Sequence, residues 1–213
     1  MASSEKNLWE KSATEVVSLL RSKEISPDEA LDENLKRIKE THSSINAVVT
    51  ICEERARHQI KNLDTERKDQ PGYLYGLPIV IKDLTDVKGV KTTYGSQIYK
   101  DHIPKSSDFL VERIEKMGGV IIGKTNTPEF GAGSQTFNEV FGYTPNPWNS
   151  QYTSGGSSGG TASALAAGAA WLGTGSDLGG SLRNPASFCG VVGLRTTPGT
   201  IAHGPQNLPF NDL

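Results

Sequence analysis

The segment Gly155-Gly-Ser-Ser-Gly-Gly160, followed after a short interval by Gly175-Ser-Asp-Leu-Gly-Gly-Ser-Leu-Arg183, decides how this chain is read. Each half leads into small residues that can open a helix, so the backbone N–H groups of each turn point outward without intrahelical partners. Such a turn suits the developing oxyanion of a tetrahedral acyl intermediate. Asp177 and Arg183 are opposite charges in a stretch almost free of charge, so each needs the other or a backbone partner. Ser181 stands beside the donors that would stabilise the product of its own attack. What the segment lacks is a base.

The region around it differs from the rest of the chain. Lys and Arg number 22 against 24 Asp and Glu, a formal charge of −2, yet only Glu129, Glu139, Asp177, Arg183, Arg195 and Asp212 lie beyond residue 124. Eleven of the 23 glycines fall between Gly155 and Gly193, a composition expected to be mostly buried or folded tightly against something. The near-balance of charge excludes a nucleic-acid binder that works through a bulk positive field. No run of eighteen apolar residues exists, so no membrane span is expected. The opening residues Met1–Lys11 lack the apolar core of a secretory signal, which makes a cytoplasmic location the default. Cys52 and Cys189, far apart, imply neither a disulfide framework nor a four-ligand zinc site.

Outward from the Gly-rich core, strands and helices alternate, the mark of an α/β sheet flanked by helices. Leu77-Pro-Ile-Val-Ile81 reads as a buried strand ending at Lys82-Asp83. Residues 108–116 read as an amphipathic helix stopped by Gly118-Gly119, and Val120-Ile-Ile122 as the next strand. A short helix is expected at Thr127-Pro-Glu129, helices at 160–170 and 180–187, and strands at 171–174 and 191–194. The first 70 residues read as a charged, solvent-facing helical cover. Ser12-Ala-Thr-Glu15 and Ser26-Pro-Asp-Glu29 are capping boxes, and a third helix is expected over 53–66. Residues 71–213 then form the α/β part of what is one domain overall.

Two familiar patterns fail on context. Gly118-Gly-Val-Ile-Ile-Gly-Lys-Thr125 satisfies the P-loop spacing, but a helix precedes it and β-branched residues fill the turn that should wrap phosphate. Gly155-Gly-Ser157-Ser-Gly159 satisfies the nucleophile-elbow spacing, with Asp177 and His203 following in order. The residues before it (Asn149 to Ser154) are too polar for the core strand an elbow needs, and His203 reads as a surface-loop residue.

The run GGSSGG followed by SDLGGSLRNPASFCGVVGLR resembles the amidase signature family of serine amidohydrolases, and the likeness extends over about residues 76–199. The resemblance implies Ser181 as nucleophile, Ser157 as a bridging serine preceded by a cis peptide, and Lys82 as the base. It implies an oxyanion site at the N–H groups of Leu178, Gly179 and Gly180, with Ser181 itself a fourth donor, and structural support from Asp177 and Arg183. Lys82 alone would be ambiguous, since most lysines are solvated surface charges. Removed from water it loses preference for the charged form and can accept a proton near neutrality.

The activity implied is cleavage of a carboxylic amide to acid and ammonia or amine through an acyl-serine, with no metal or organic cofactor. Expected partners are a small-molecule amide and at most a second copy of the chain as a homodimer; neither nucleic acid nor membrane is expected. Members of the family are about twice as long, so residues 71–213 correspond to the first part of the signature domain. The family also contains glutamyl-tRNA(Gln) amidotransferase A-type subunits. Lys82-Asp-Leu84 and Leu194-Arg-Thr-Thr-Pro198 differ from the Lys-Asp-Asn and Leu-Lys-Pro-Thr-Tyr more usual there and favour a stand-alone amidase. An inactive fragment is the third reading.

Overall fold

Pro78-Ile-Val-Ile-Lys82 is buried at all five positions, and that two-sided burial explains the architecture around it. The computed structural model describes residues 7–202 and 204–205. In chain order the strands are β1 (Val48–Ile51), β2 (Pro78–Lys82), β3 (Val120–Thr125), β4 (Phe137–Asn138), β5 (Gly142–Tyr143), β6 (Pro145–Asn146), β7 (Asn149–Thr153) and β8 (Leu172–Gly173). The helices are α1 (Ala13–Ser22), α2 (Pro27–Ile45), α3 (Glu53–Lys61), α4 (Phe109–Lys116), α5 (Gly159–Ala166) and α6 (Arg183–Cys189). The main sheet runs in the order β1-β3-β2-β8. Its β2 is parallel to both β3 and β8, and β1 is antiparallel to β3.

Both faces of this sheet are covered, which is why β2 is continuously apolar rather than alternating. Val80, Val120 and Ile122 pack with Leu31, Ile38 and Ile45 of α2 and Ala164 of α5. On the opposite face, Ile79, Ile81 and Ile121 pack with Val87, Val90 and Val111, the last from α4. Between Ile79 and Val80 the register slips: Ile79 pairs with Ile121 but Val80 with Gly123. One extra residue in β3 inverts its alternation beyond that point, as a bulge does. Gly123 fits the bend, since a Cβ there would strike the backbone oxygen of Thr50.

The first 70 residues are more than a cover. Both capping boxes form, at Ser12 with Glu15 and at Ser26 with Glu29. The stripe Leu31, Ile38, Ile45 is buried, however, and β1 supplies an edge strand. A highly charged helix still buries its single apolar stripe when a sheet lies beneath it. The third helix stops at Lys61. Trp171 sits with Val16, Leu20, Ala30 and Leu77 in a further apolar cluster.

Residues 120–125 are a fully buried sheet strand, which removes the P-loop pattern. β7 forms a largely exposed hairpin with β6 outside the main sheet, so no elbow strand leads into Gly155. The expected strand at 191–194 is absent: Val192 and Leu194 are exposed, and no described strand lies beside them to share a ladder. The expected short helix after Thr127 is a single 3-10 turn at Glu129–Gly131. His203 lies outside the described residues.

Candidate active site

Lys82 ends β2 on the face occupied by Val80, and that parity aims it at the start of α5. It is 1 % exposed. Its Nζ lies 2.6 Å from Ser157 Oγ, 2.9 Å from Ser158 Oγ and 2.8 Å from Ser176 Oγ. Its backbone N–H donates to Thr174 Oγ1 at 3.0 Å, which ties the end of β2 to the segment after β8. Burial holds the Lys82 ammonium down to about 7, against the opposing pull of the Asp177 charge. Hydroxyls can donate as well as accept, so this cage can solvate either form of the amine.

The Gly156–Ser157 peptide is cis. Gly156 has no room for a side chain, because a Cβ would press into the backbone of Ser134 and Gln135. Ser158 is the N-cap residue of α5, and its N–H donates to the Ser181 carbonyl at 2.9 Å. That bond joins the two halves of the Gly-rich stretch. Ser181 Oγ has no hydrogen-bond partner among the described residues. The structure thus bonds Lys82 to Ser157 directly and ties the Ser181 carbonyl to Ser158, with no bond between the Ser157 and Ser181 hydroxyls among the described residues.

Asp177 organises the turn that carries Ser181. Its Oδ1 accepts from Gly180 N–H at 2.7 Å, and its Oδ2 from the N–H groups of Leu182 and Arg183 at 3.4 and 3.2 Å. Arg183 Nε lies 2.9 Å from Oδ2 and Arg195 Nε 3.5 Å from Oδ1. The Arg183 guanidinium, helped by these backbone donors and opposed by burial, holds the Asp177 carboxyl well below the usual carboxylate range. One element of the expected oxyanion site is corrected by this geometry. The Gly180 N–H is bonded to Asp177 Oδ1, because the turn folds the charged carboxylate back onto it. The N–H groups of Leu178, Gly179 and Ser181 have no partner among the described residues.

Ser158, Ser176 and Thr174 were not singled out from sequence, although all three hold Lys82. The available signal was a second serine in each Gly-rich half, next to the one considered. Asp83 is not a partner of Lys82: it faces Lys124 across the other side of the sheet at 3.2 Å. Among the described residues no three His, Cys, Asp or Glu side chains gather as a metal site, and no helix is long and apolar enough to cross a membrane.

A buried lysine bonded to a serine beside a Gly-rich turn thus sits on a helix-covered mixed sheet. The family model described as Amidase matches residues 29–210, and the chain belongs to the amidase signature family. It is 45 % identical over 195 residues to the A-type subunit of the glutamyl-tRNA(Gln) amidotransferase of Halothermothrix orenii, covering 92 % of this chain and 40 % of that protein. Among solved structures it resembles a 6-aminohexanoate cyclic dimer hydrolase (TM-score 0.85, 36 % identity, 95 % of this chain and 41 % of the other). It also resembles the corresponding A-type subunit from Thermotoga maritima (TM-score 0.71, 30 % identity, 89 % and 39 %). The chain therefore spans about two fifths of the length of these relatives.

Proposed function

We propose that these residues carry the catalytic centre of an amidase that converts a carboxylic amide to acid plus ammonia or amine through an acyl-serine. The observation that carries the reading is the buried Lys82, with Nζ 2.6 Å from Ser157 Oγ. A neutral amine there accepts a proton from Ser157, which takes one in turn from Ser181 as Ser181 Oγ attacks the carbonyl. The oxyanion is met by the N–H groups of Leu178, Gly179 and Ser181. The proton returns through Ser157 to the leaving nitrogen, and the C–N bond breaks. Water then attacks the ester, giving its proton to the same relay and restoring the Ser181 hydroxyl as the acid departs. Asp177 and Arg183 hold the turn in place without entering the chemistry. Neither a metal nor an organic cofactor takes part. A cytoplasmic location, a small-molecule amide substrate and at most a second copy as partner go with this reading.

The curated relatives named above favour a second reading, one of an amidotransferase component of the A type, against which stand Leu84 and the Arg195-Thr-Thr-Pro198 run. Ammonia release from simple amides by the complete protein supports the first. Release only with partner subunits and tRNA supports the second and brings in a nucleic-acid partner. Release under neither condition leaves an inactive fragment. A fluorophosphonate that labels Ser181 in the complete protein, and labels nothing after Lys82→Met, identifies the relay; labelling at Ser157 overturns it.

A further inference from the structure

The strongest unused feature of the molecule is a second buried lysine beside the first. Lys124 and Asp83 are both fully buried and lie 3.2 Å apart, Nζ to Oδ1, as an ion pair rather than a directed hydrogen bond. Lys124 Nζ also donates to Thr85 O and Thr92 Oγ1, each at 2.8 Å. Thr92 Oγ1 gives its own proton to Val90 O, so it can only accept from Lys124. Two of the ammonium protons therefore meet neutral acceptors, and the Asp83 carboxylate lies beside them as the counter-ion that favours the charged form. Asp83 Oδ2 in turn accepts from Thr93 N–H at 3.1 Å and Thr93 Oγ1 at 2.6 Å.

The cage around Lys82 is different in kind. It offers hydroxyls alone, and Ser157 and Ser176 have no second partner for their Oγ among the described residues. The two lysines are one strand pair apart, with Lys82 and Asp83 adjacent on opposite faces of the end of β2. A buried carboxylate left uncompensated next to Lys82 would hold a proton on it and spoil it as a base. The bulge in β3 turns Lys124 to the Asp83 face.

We propose that Lys124 is a positioning residue for the amidase reaction: by neutralising Asp83 it insulates Lys82 from the neighbouring carboxylate, and through Thr85 and Thr92 it pins the segment that follows the base. The inference rests on the role of Lys82 proposed above. The other charged groups around the pair are accounted for. Lys82 is faced by Asp177, from the segment ahead of α6, which Arg183 and Arg195 already compensate. Burial is the largest influence on Lys124 and lowers its titration, opposed by Asp83, by Asp86 from the loop after β2 and by Cys52 after β1.

The test follows the Lys82 side-chain resonance against pH in the complete protein, assigned by its loss in Lys82→Met, and measures the acid limb of amide hydrolysis in the same variants. Charges on adjacent, opposite-face residues of one strand, acting through an effective dielectric of about 20, interact by on the order of one pH unit. Lys124→Met, which bares the Asp83 charge, is expected to raise the Lys82 midpoint by about that much, moving the acid limb with it. Asp83→Asn, which bares the Lys124 charge, is expected to lower it. The double variant is expected to bring it back toward the unaltered value. A purely structural pair predicts loss of rate at every pH with the midpoint unmoved, and that result overturns the proposal. If Lys124→Met does not fold, the direction of the Asp83→Asn shift decides alone. A midpoint that moves as stated in a protein without amide hydrolysis would sink the functional reading and leave the electrostatic one standing.

Discussion

Replacing Lys82 by Met should remove the activity and, below neutrality, make the protein more stable. An ordinary lysine titrates near 10.5, and burial brings Lys82 down to about 7. Between these values the unfolded chain binds a proton that the folded chain does not, so stability rises with pH across that window. The cost of Lys82 is fully present below pH 7, where it amounts to about 4–5 kcal/mol, and is gone above about pH 10.5. Methionine of similar length deletes this cost. Against it stand the hydroxyls left behind. Ser158 keeps the N–H and carbonyl of Ser176 as partners, whereas Ser157 and Ser176 lose their only one, at about 1 kcal/mol each. The net is a gain of about 2 kcal/mol at pH 7 and a loss of about 2 kcal/mol near pH 10.5, with a change of sign between. Urea titrations of both proteins at several pH values measure it. The rate of amide hydrolysis should fall about 10²–10⁴-fold in the variant, and in the unaltered enzyme about tenfold per pH unit below pH 7 as the base is protonated. A stability difference that does not change between pH 7 and 10, together with a flat acid limb, would refute the reasoning.

Ser181→Ala should leave the fold intact, because Ser181 Oγ bonds to none of the described residues, yet abolish covalent labelling by a fluorophosphonate; mass spectrometry of the labelled peptide checks this. Asp177→Asn should cut the rate at least tenfold, since three backbone donors and two guanidinium groups of the Ser181 turn converge on that carboxylate. Its depressed titration makes its stabilisation fully present above the ordinary carboxylate range and lost only as pH falls through the lower folded value. The Asn variant's deficit in urea should therefore be constant from about pH 5 to 9, and a deficit that varies there would contradict the pairing. Gly160→Ala should destabilise by about 2–3 kcal/mol, because its Cβ would strike the backbone N and O of Asn126; an unchanged urea midpoint would show that α5 can move away from β3.

Much of this molecule is written in short-range chemistry. A capping box needs only residues three apart, so Ser12 with Glu15 and Ser26 with Glu29 could be read directly and form as read. The apolar run ahead of Lys82 likewise identified a strand buried on both faces, and the Gly-rich halves identified the turn carrying Ser181. Strand and helix limits drifted by a few residues where a boundary depended on packing, as at 53–61 and 159–166.

Long-range pairing decided the rest. The 191–194 segment has the apolar, β-branched look of a strand, but a strand exists only where another backbone accepts its ladder. Side-chain alternation places Lys124 on the face of Ile122, and one inserted residue in β3 reverses that and delivers it to Asp83. The serines that hold Lys82 lie 75 to 94 residues away from it in the chain, and nothing local marks Ser158 or Ser176 above other serines. Gly180 looked like a free donor until the turn closed and Asp177 took its N–H. Residue types and periods constrain each element by its own geometry. The direction in which a buried lysine points, and what it meets there, follows from register and closure, which arise only when distant segments share one sheet.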